Sequence, residues 1–267
     1  MGHIKLKANK QFEINFNPND LNDELVPEEN KKISQNYMTS KKLAEDEDYD
    51  LMLMFENYVA FGFDYLHEKT KKIIIEINPT TIFYSNSVMS YGNLSHYKEI
   101  LLSQSQDILN LKNKSEPLNL THSGIFFQLA INCVINLQAA LESFANNVIP
   151  ENYPYLDKLG NPVNKTVTYK LYNALPKIKK TDFQLKKNRK HNISIDKLIK
   201  LRNDIVHLKP VSNTNTGYKS VYRDLLNFDF AKALLSVKTF INFYEPNLIE
   251  ECICENDFYF YSGTKIK

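Results

Sequence analysis

The 267-residue chain has the size of one large domain or of one domain with an appendage. Its 43% hydrophobic and 24% charged residues exclude a disordered or fibrous chain. The 33 lysines and arginines nearly balance the 31 aspartates and glutamates, so net charge alone indicates neither a nucleic-acid nor a membrane partner. Only three of the cations are arginines, Arg189, Arg202 and Arg223. Each is therefore a candidate for a task that lysine cannot perform.

The cysteines indicate neither a disulfide framework nor a metal site. Cys133 lies in an apolar helical pattern, and Cys252 and Cys254 form a C-x-C pair without further ligands nearby. We therefore expect no metal, no cofactor and a reducing cytoplasm. The start of the chain lacks the hydrophobic core of a signal peptide, and we read no apolar run that approaches the roughly 20 residues of a membrane span. A soluble, cytoplasmic protein without a membrane partner is expected.

Residues 1–115 predict a mixed α/β extension. The first 48 residues are polar and end in the acidic cluster Glu45–Asp48. Apolar residues at steps of three and four predict a helix from Asp50 to Glu68, and β-branched residues predict two short strands or a hairpin between Lys72 and Tyr84, broken at Asn78-Pro79. The remaining predicted elements of this part are a short strand at Phe12–Phe16 and a helix at His96–Lys112.

Residues 116–246 are strongly helical in pattern, and 247–267 form a tail with a candidate short strand. A long helix from Gly124 to Ile149 carries an apolar stripe and is stopped by Pro150. The other predicted helices are a short one ending near Leu175-Pro176, one that begins at the cap Ser194 and ends near Leu208, and one from Asp224 to Tyr244. Four helices joined by polar connections predict a bundle, so the fold class is mainly α with the N-terminal extension.

The helix that begins at Ser194 contains an arginine on its apolar side. At 100° per residue, Arg202 lies within the apolar arc, one turn from Ile199 and from Val206, and His207 lies 140° away from it. A buried guanidinium must contact an anion, a cluster of carbonyls or a ligand, or else its stem lies over the core while its head caps carbonyls of a neighbouring helix. Glu142 is a candidate ion-pair partner, with a plain surface carboxylate as the alternative.

A basic segment precedes this helix. Between Lys165 and Arg202 the chain has ten lysines and two arginines against two aspartates. Such a segment binds an RNA backbone through its phosphates, or it is only a solvated face. Tyr169 and Tyr172 are candidates for stacking on bases, although core packing is the ordinary role of such residues. The cluster that we expect to contact RNA consists of Lys186, Lys187, Arg189 and Lys190.

The segment from Arg202 to His207, R-N-D-I-V-H, resembles the R-x4-6-H motif of the HEPN superfamily, in which an arginine followed by a polar residue precedes a histidine on the penultimate helix of a four-helix bundle. Residues 137–150, LQAALESFANNVIP, are similar to the first long helix of that superfamily. The resemblance covers roughly residues 120–246 and leaves the first 115 residues unexplained.

The resemblance implies a metal-independent endoribonuclease of a bacterial defence, toxin or RNA-processing system. Attack of the ribose 2′-OH on phosphorus needs a base, an acid and positive charge, which His207 and Arg202 supply as residue types. Asn203 would orient His207 or the phosphate, or is an exposed helical amide. Because Arg202 and His207 point apart, the reading requires a homodimer in which two copies of the motif helix meet.

Two other readings stay open. A HEPN-like module without catalytic activity would bind RNA, a nucleotide or a protein partner, since function belongs to the site rather than to the fold. A purely structural helical protein would bind none of these. The sequence names neither the RNA target nor an antitoxin or other regulator, and it assigns no role to residues 1–115.

Overall fold

The computed structural model describes residues 3–16, 27–40, 42–44, 50–55, 57–105, 120–184, 186–210 and 215–252. The chain forms two compact units: residues Leu6–Asn78, and the described residues up to Lys5 together with those from Pro79 onward. The first unit contains a small antiparallel sheet and one helix, and the second is helical. The protein is thus mostly helical with a small N-terminal antiparallel sheet.

The N-terminal unit is a four-stranded sheet with helix α1. Strand β3 lies between β1 and β2 and also pairs with β4, and all of these pairs are antiparallel. Its elements are β1 (Gln11–Glu13), α1 (Glu28–Thr39), β2 (Leu51–Met54), β3 (Tyr58–His67) and β4 (Thr70–Ile75).

The predicted helix Asp50–Glu68 is wrong, because this segment forms β2 and β3, and β3 continues into a hairpin with β4. The hairpin turn consists of Glu68 and Lys69, which both adopt positive φ angles of 47° and 70°. Two residues of positive φ define the turn type that matches the twist of paired strands, and Asn-Gly is its usual sequence. Glu-Lys gives no such signal, so the turn was missed.

Helix α1 is attached to the sheet through a buried carboxylate. Asp64 on β3 is 8% exposed and accepts hydrogen bonds from the Tyr37 hydroxyl at 2.6 Å and from the Ala44 amide at 3.0 Å. Lys71 lies over the Tyr37 ring and donates to the Tyr37 carbonyl at 2.7 Å. Burial and the hydrogen bond to Asp64 raise the pKa of Tyr37 to about 12. This cluster explains why a polar helix such as α1, which has no buried residue, stays on the sheet.

The helical unit is built around α4, a 29-residue helix from Leu120 to Val148. It packs against α2, α3, α7, α8 and α9. Its apolar stripe, including Phe126, Cys133, Leu137 and Phe144, is essentially inaccessible to solvent, and Pro150 follows its end as predicted. The other helices are α2 (Pro79–Gly92), α3 (Leu94–Ser103), α5 (Val167–Tyr169), α6 (Leu175–Lys179), α7 (Arg189–Val206), α8 (Lys219–Asn227) and α9 (Phe230–Tyr244).

Helices α2 and α3 belong to the helical unit. The division of the chain therefore lies at residues 78/79, whereas the sequence placed it near residue 115. Tyr84 of α2 donates its hydroxyl hydrogen to the Leu234 carbonyl of α9, and Lys98 of α3 donates to the Leu226 carbonyl of α8. Pro79, predicted to break a strand pair, is instead the first residue of α2, a position that suits proline.

Two helix boundaries differ from the predicted ones. Helix α7 begins at Arg189, and Ser194 is buried within it instead of capping it. The predicted helix Asp224–Tyr244 is divided into α8 and α9, because the Asp229 side chain accepts a hydrogen bond from the Lys232 amide at 3.0 Å and so caps α9. The motif helix is consequently followed by two helices, not one.

Several predictions concern residues that the structure does not describe. These are Glu45–Asp48, residues 106–112 of the predicted helix His96–Lys112, Cys254 and residues 253–267 of the tail. The described part of the tail includes Glu251, which forms a single antiparallel bridge with Ile4.

One described helical stretch, Gly124–Val148, has the length and composition of a membrane span. The expectation that no apolar run approaches this length is therefore not met. The same test is passed by core helices, and the stripe of this stretch packs in the helical core. Length and composition alone are thus weak evidence for a membrane.

Candidate functional site

The candidate site lies at the C-terminal end of α7. This helix buries Leu198, Ile199, Leu201 and Ile205 against its neighbours, which places the backbone of the motif on a well-packed element. Arg202 lies on the same apolar side of α7 but is only half-buried, because this side of the helix is exposed to solvent toward its C-terminal end. Val206, one turn further on, is 47% exposed and Leu208 is 41% exposed. The apolar arc of α7 therefore ends uncovered around the arginine.

The guanidinium of Arg202 has little compensation within the described part of the chain. Its Nε is buried without a hydrogen-bond partner there, and Nη1 donates to Oδ1 of the adjacent Asn203 at 3.3 Å. None of the described carboxylates lies within ion-pairing distance. A buried donor without a partner ordinarily indicates a missing group, such as a ligand or a water molecule.

Glu142 does not serve as the partner of Arg202. It forms an ion pair with Lys170 at 3.2 Å and accepts a hydrogen bond from Gln138 at 3.1 Å. The Lys170 side chain is only 10% exposed, so it needs this carboxylate for itself. The suggested pairing of Glu142 with Arg202 is thus wrong.

His207 lies just beyond the last residue of α7 and is exposed. Its backbone amide donates to the Asn203 carbonyl at 3.0 Å, which continues the hydrogen-bonding pattern of the helix by one residue. The structure therefore brings Arg202 and Asn203 into contact, and it connects His207 to Asn203 only through the backbone. The hydrogen bond of the Arg202 side chain goes to Asn203 and not to the His207 side chain.

The predicted RNA-binding residues lie at the opposite end of α7. Lys186 and Arg189 line a cavity of about 430 Å³, together with Tyr172, Gln184, Asn192 and Asp196. Lys187 and Lys190 are exposed but are not among the residues lining it. The sequence thus indicated two of the cavity residues by their charge, and it proposed Tyr172 only as a stacking candidate.

The cavity owes part of its shape to a π-helix, Lys170–Ala174, inserted between α5 and α6. Such one-turn π segments often occur at functional sites. Here the segment places Lys170 against Glu142 and Tyr172 on the cavity wall, with the Tyr172 ring edge-on to Phe240. Tyr169, by contrast, donates its hydroxyl hydrogen to the Leu156 carbonyl and packs on Tyr155, so it has a structural role.

Two buried polar atoms of the cavity residues, the Tyr172 hydroxyl and Asn192 Oδ1, have no hydrogen-bond partner of good geometry among the described residues. The Tyr172 hydroxyl faces the Asp196 carboxylate: burial, the charge of Asp196 and its acceptance of a hydrogen bond from this hydroxyl raise the pKa of Tyr172. Sequence periodicity does not predict such unsatisfied polar atoms, because their lack of a good hydrogen-bond partner depends on how α7 packs against the π-helix.

A polar row connects the two ends of α7. Residues at steps of three and four share one face of a helix, and on α7 this face carries Arg189, Asn192, Asp196, Lys200, Asn203 and His207. At 1.5 Å per residue the row extends over about 27 Å. A second cavity, of about 240 Å³ and lined by Lys197, Lys200, Asp204 and Asp224 among others, lies beside its middle.

Other histidines and metal ligands add no further site. His191 contacts Ser236 of α9 through Nδ1 at 3.1 Å. Within the described ranges, no group of three or more histidine, cysteine, aspartate or glutamate side chains has the arrangement of a metal site.

Comparison with known proteins gives no match: no family model, no curated protein and no solved structure is similar to this chain.

Proposed function

We propose that the protein is a homodimeric, metal-independent endoribonuclease of the HEPN type that cleaves RNA through attack of the ribose 2′-OH. The observation that carries the proposal is the state of Arg202. Its guanidinium is half-buried, its Nε has no partner among the described residues, and its one side-chain contact is a long hydrogen bond to Asn203. A permanent charge left with so little compensation is available for a phosphate.

The roles of the residues follow from their chemistry. Arg202 would donate to the oxygens of the scissile phosphate and stabilise the additional charge of the phosphorane. His207, exposed at the C-terminal end of α7, would remove the proton of the 2′-OH or donate one to the 5′ leaving oxygen. Asn203, already in contact with Arg202, would orient the guanidinium.

The proposed dimer follows from the separation of the two key residues. They lie 140° apart around α7 and about 7.5 Å apart along it, so one helix cannot direct both at one phosphate. A second copy related by two-fold symmetry would bring another arginine and histidine to the same cleft. The exposed side chains of Val206 and Leu208 beside Arg202 offer apolar surface for that contact.

The helices that would form the proposed bundle are α4, the Val167–Lys179 segment, α7 and α9. They pack on one another, and α7 contacts both α4 and α9. We place the protein in a bacterial defence or toxin system in the cytoplasm, with an antitoxin or other regulator unidentified. This placement follows only from the resemblance of the motif.

The decisive experiment is incubation of the purified full chain with single-stranded RNA in EDTA. We expect cleavage that leaves 2′,3′-cyclic phosphate ends and that is abolished in Arg202→Ala and in His207→Ala. Matched controls are Arg223→Ala and His96→Ala, which remove exposed side chains of the same types outside the motif and should leave cleavage unchanged. Loss of activity in the controls as well would show that the motif is not the site.

A second candidate, a HEPN-like binding module without catalysis, is favoured by one observation. The cavity at the other end of α7 is lined by neither Arg202 nor His207, so a ligand could bind there without the proposed catalytic residues. Intact RNA with retained, salt-dependent binding would support this alternative.

A further inference from the structure

The 430 Å³ cavity between α7 and the π-helix has the properties of a ligand site. Its volume is within the range of small-molecule pockets, and it combines polar and apolar walls. Tyr172 and Ile193 contribute carbon surface, while Asn192 and Asp196 contribute oxygen atoms. An object of the size of a nucleobase fits such a space.

The polar atoms of the wall determine which groups the ligand should carry. Asn192 Oδ1 is a buried acceptor without a donor among the described residues, and the exposed carboxylate of Asp196 is a second acceptor. The buried Tyr172 hydroxyl faces the Asp196 carboxylate and donates toward it, so it is not a donor reserved for the ligand. A ligand that presents hydrogen-bond donors would satisfy Asn192 Oδ1 and the remaining lone pairs of Asp196.

The surroundings of the cavity indicate that the ligand is attached to phosphates. Lys186 and Arg189 are exposed at its wall, and neither forms an ion pair with another described residue. From Arg189 the polar row leads through Lys200 and Asn203 to His207. A chain of phosphates along this row would pass from the cavity to the proposed catalytic residues.

We propose that this cavity binds one unpaired base of the single-stranded RNA substrate and prefers a base with an exocyclic amino group over uracil. The inference rests on the proposed function in taking RNA as the ligand, but not on catalysis. An amino group donates to Asn192 Oδ1 and to Asp196. Uracil would place carbonyl oxygens against these acceptors, and two acceptors form no hydrogen bond with each other. The cavity therefore sets the cleavage position at a fixed distance from the bound base.

The test uses the full chain with His207→Ala, so that binding is measured without cleavage. Fluorescence anisotropy compares oligouridine with the same oligomer carrying one central adenosine, cytidine or guanosine. We expect at least one of the three to bind about tenfold more tightly than oligouridine, as one well-formed pair of hydrogen bonds provides. Equal binding of all four oligomers would overturn the proposal.

Two variants assign the preference to the cavity. Asn192→Leu removes the buried acceptor, and Tyr172→Phe removes the hydroxyl that orients the Asp196 carboxylate. Both variants should lower the preference while oligouridine binding stays the same. Asn147→Leu, an exposed asparagine on α4 outside the cavity, should retain it. A preference that survives both cavity variants would contradict the proposal, and a thermal unfolding curve for each variant confirms that it is folded.

The outcomes separate this inference from the proposed function. Base preference in the binding assay without cleavage by the wild-type chain would retain the pocket and reject the nuclease. Cleavage at every base with equal efficiency would retain the nuclease and reject the pocket. Failure of all four oligomers to bind at low salt would reject RNA as the ligand of the cavity.

Discussion

The uncompensated guanidinium of Arg202 leads to a prediction about stability. Replacing Arg202 by methionine keeps a flexible apolar stem between Ile199 and Val206 but removes the buried Nε, which has no partner among the described residues. A buried donor without a partner costs about 1–3 kcal/mol. The hydrogen bond to Asn203 that is lost is long, at 3.3 Å, and exposed, so it is worth about 0.5 kcal/mol. We expect Arg202→Met to raise the free energy of unfolding by about 0.5–2 kcal/mol.

The assay is urea unfolding followed by far-ultraviolet circular dichroism, which reports chiefly on the helical unit. With an m value of about 1–3 kcal/mol/M, a gain of 1 kcal/mol raises the midpoint by about 0.3–1 M. Arg223→Met, on the exposed side of α8, is the control and should change stability by less than about 0.5 kcal/mol. If Arg202→Met lowers stability by more than about 1 kcal/mol, the guanidinium has a favourable partner in the folded chain, and its charge is not reserved for a phosphate.

Three further predictions concern the framework. Glu142→Leu leaves the Lys170 ammonium buried without its partner and should destabilise the helical unit by about 2–4 kcal/mol in urea unfolding. Adding Lys170→Met should restore much of the lost stability. If the double variant shows no recovery, the ion pair is excluded as the cause. Gly62→Ala places a Cβ 2.5 Å from the Ile74 carbonyl oxygen and should destabilise the N-terminal unit by about 1–3 kcal/mol. The control Gly124→Ala, whose Cβ has no atom within 4 Å, should be neutral or slightly stabilising. Equal thermal unfolding of the two variants would refute the close approach of β3 and β4. The pKa of Tyr37 is about 12 in the folded chain against 10 in the unfolded chain, so the native state keeps this proton to a higher pH. The stability that the Tyr37 cluster contributes is therefore present below about pH 10 and is lost as the pH rises through about 12. A pH titration followed by circular dichroism should show this loss in the wild-type chain and not in Tyr37→Phe.

Periodicity predicted the long helices because each has one buried stripe. In α4 the apolar residues recur at steps of three and four over seven turns, and Pro150 supplies a stop signal that tertiary packing does not override. The same apolar periodicity predicted that α7 exists. It did not predict where α7 begins, because Ser194 is a good N-cap by residue type but lies buried inside the helix.

Strands β2 and β3 of the N-terminal sheet were predicted as a helix for a physical reason. These strands carry apolar residues on both faces, so apolar positions such as Leu51, Met54 and Tyr58 recur at helical steps by chance. The turn that would have revealed a hairpin uses Glu68 and Lys69 at positive φ, a conformation that these residues rarely adopt. Within the segment predicted as a helix, Gly62, where β4 approaches closely, is a local signal for a strand.

The candidate site was predictable in part. Arg202 was identified by its place on the wheel, and the charge of Lys186 and Arg189 indicated the region of the cavity. The partner of Glu142 was not predictable, because Lys170 reaches it from a π-helix that no sequence pattern specifies. The unpaired atoms of Tyr172 and Asn192 likewise depend on how two distant segments pack.

The central claim is that Arg202 and His207 of two subunits act at one phosphate, and mixing two inactive variants tests it most directly. Arg202→Ala and His207→Ala proteins would be assayed separately on RNA in EDTA, and then after joint unfolding and refolding that allows subunits to exchange. The account predicts no cleavage by either variant alone and cleavage by the mixture, since a mixed dimer retains one arginine and one histidine. A mixture that contains mixed dimers and stays inactive on RNA that the wild-type chain cleaves would contradict it.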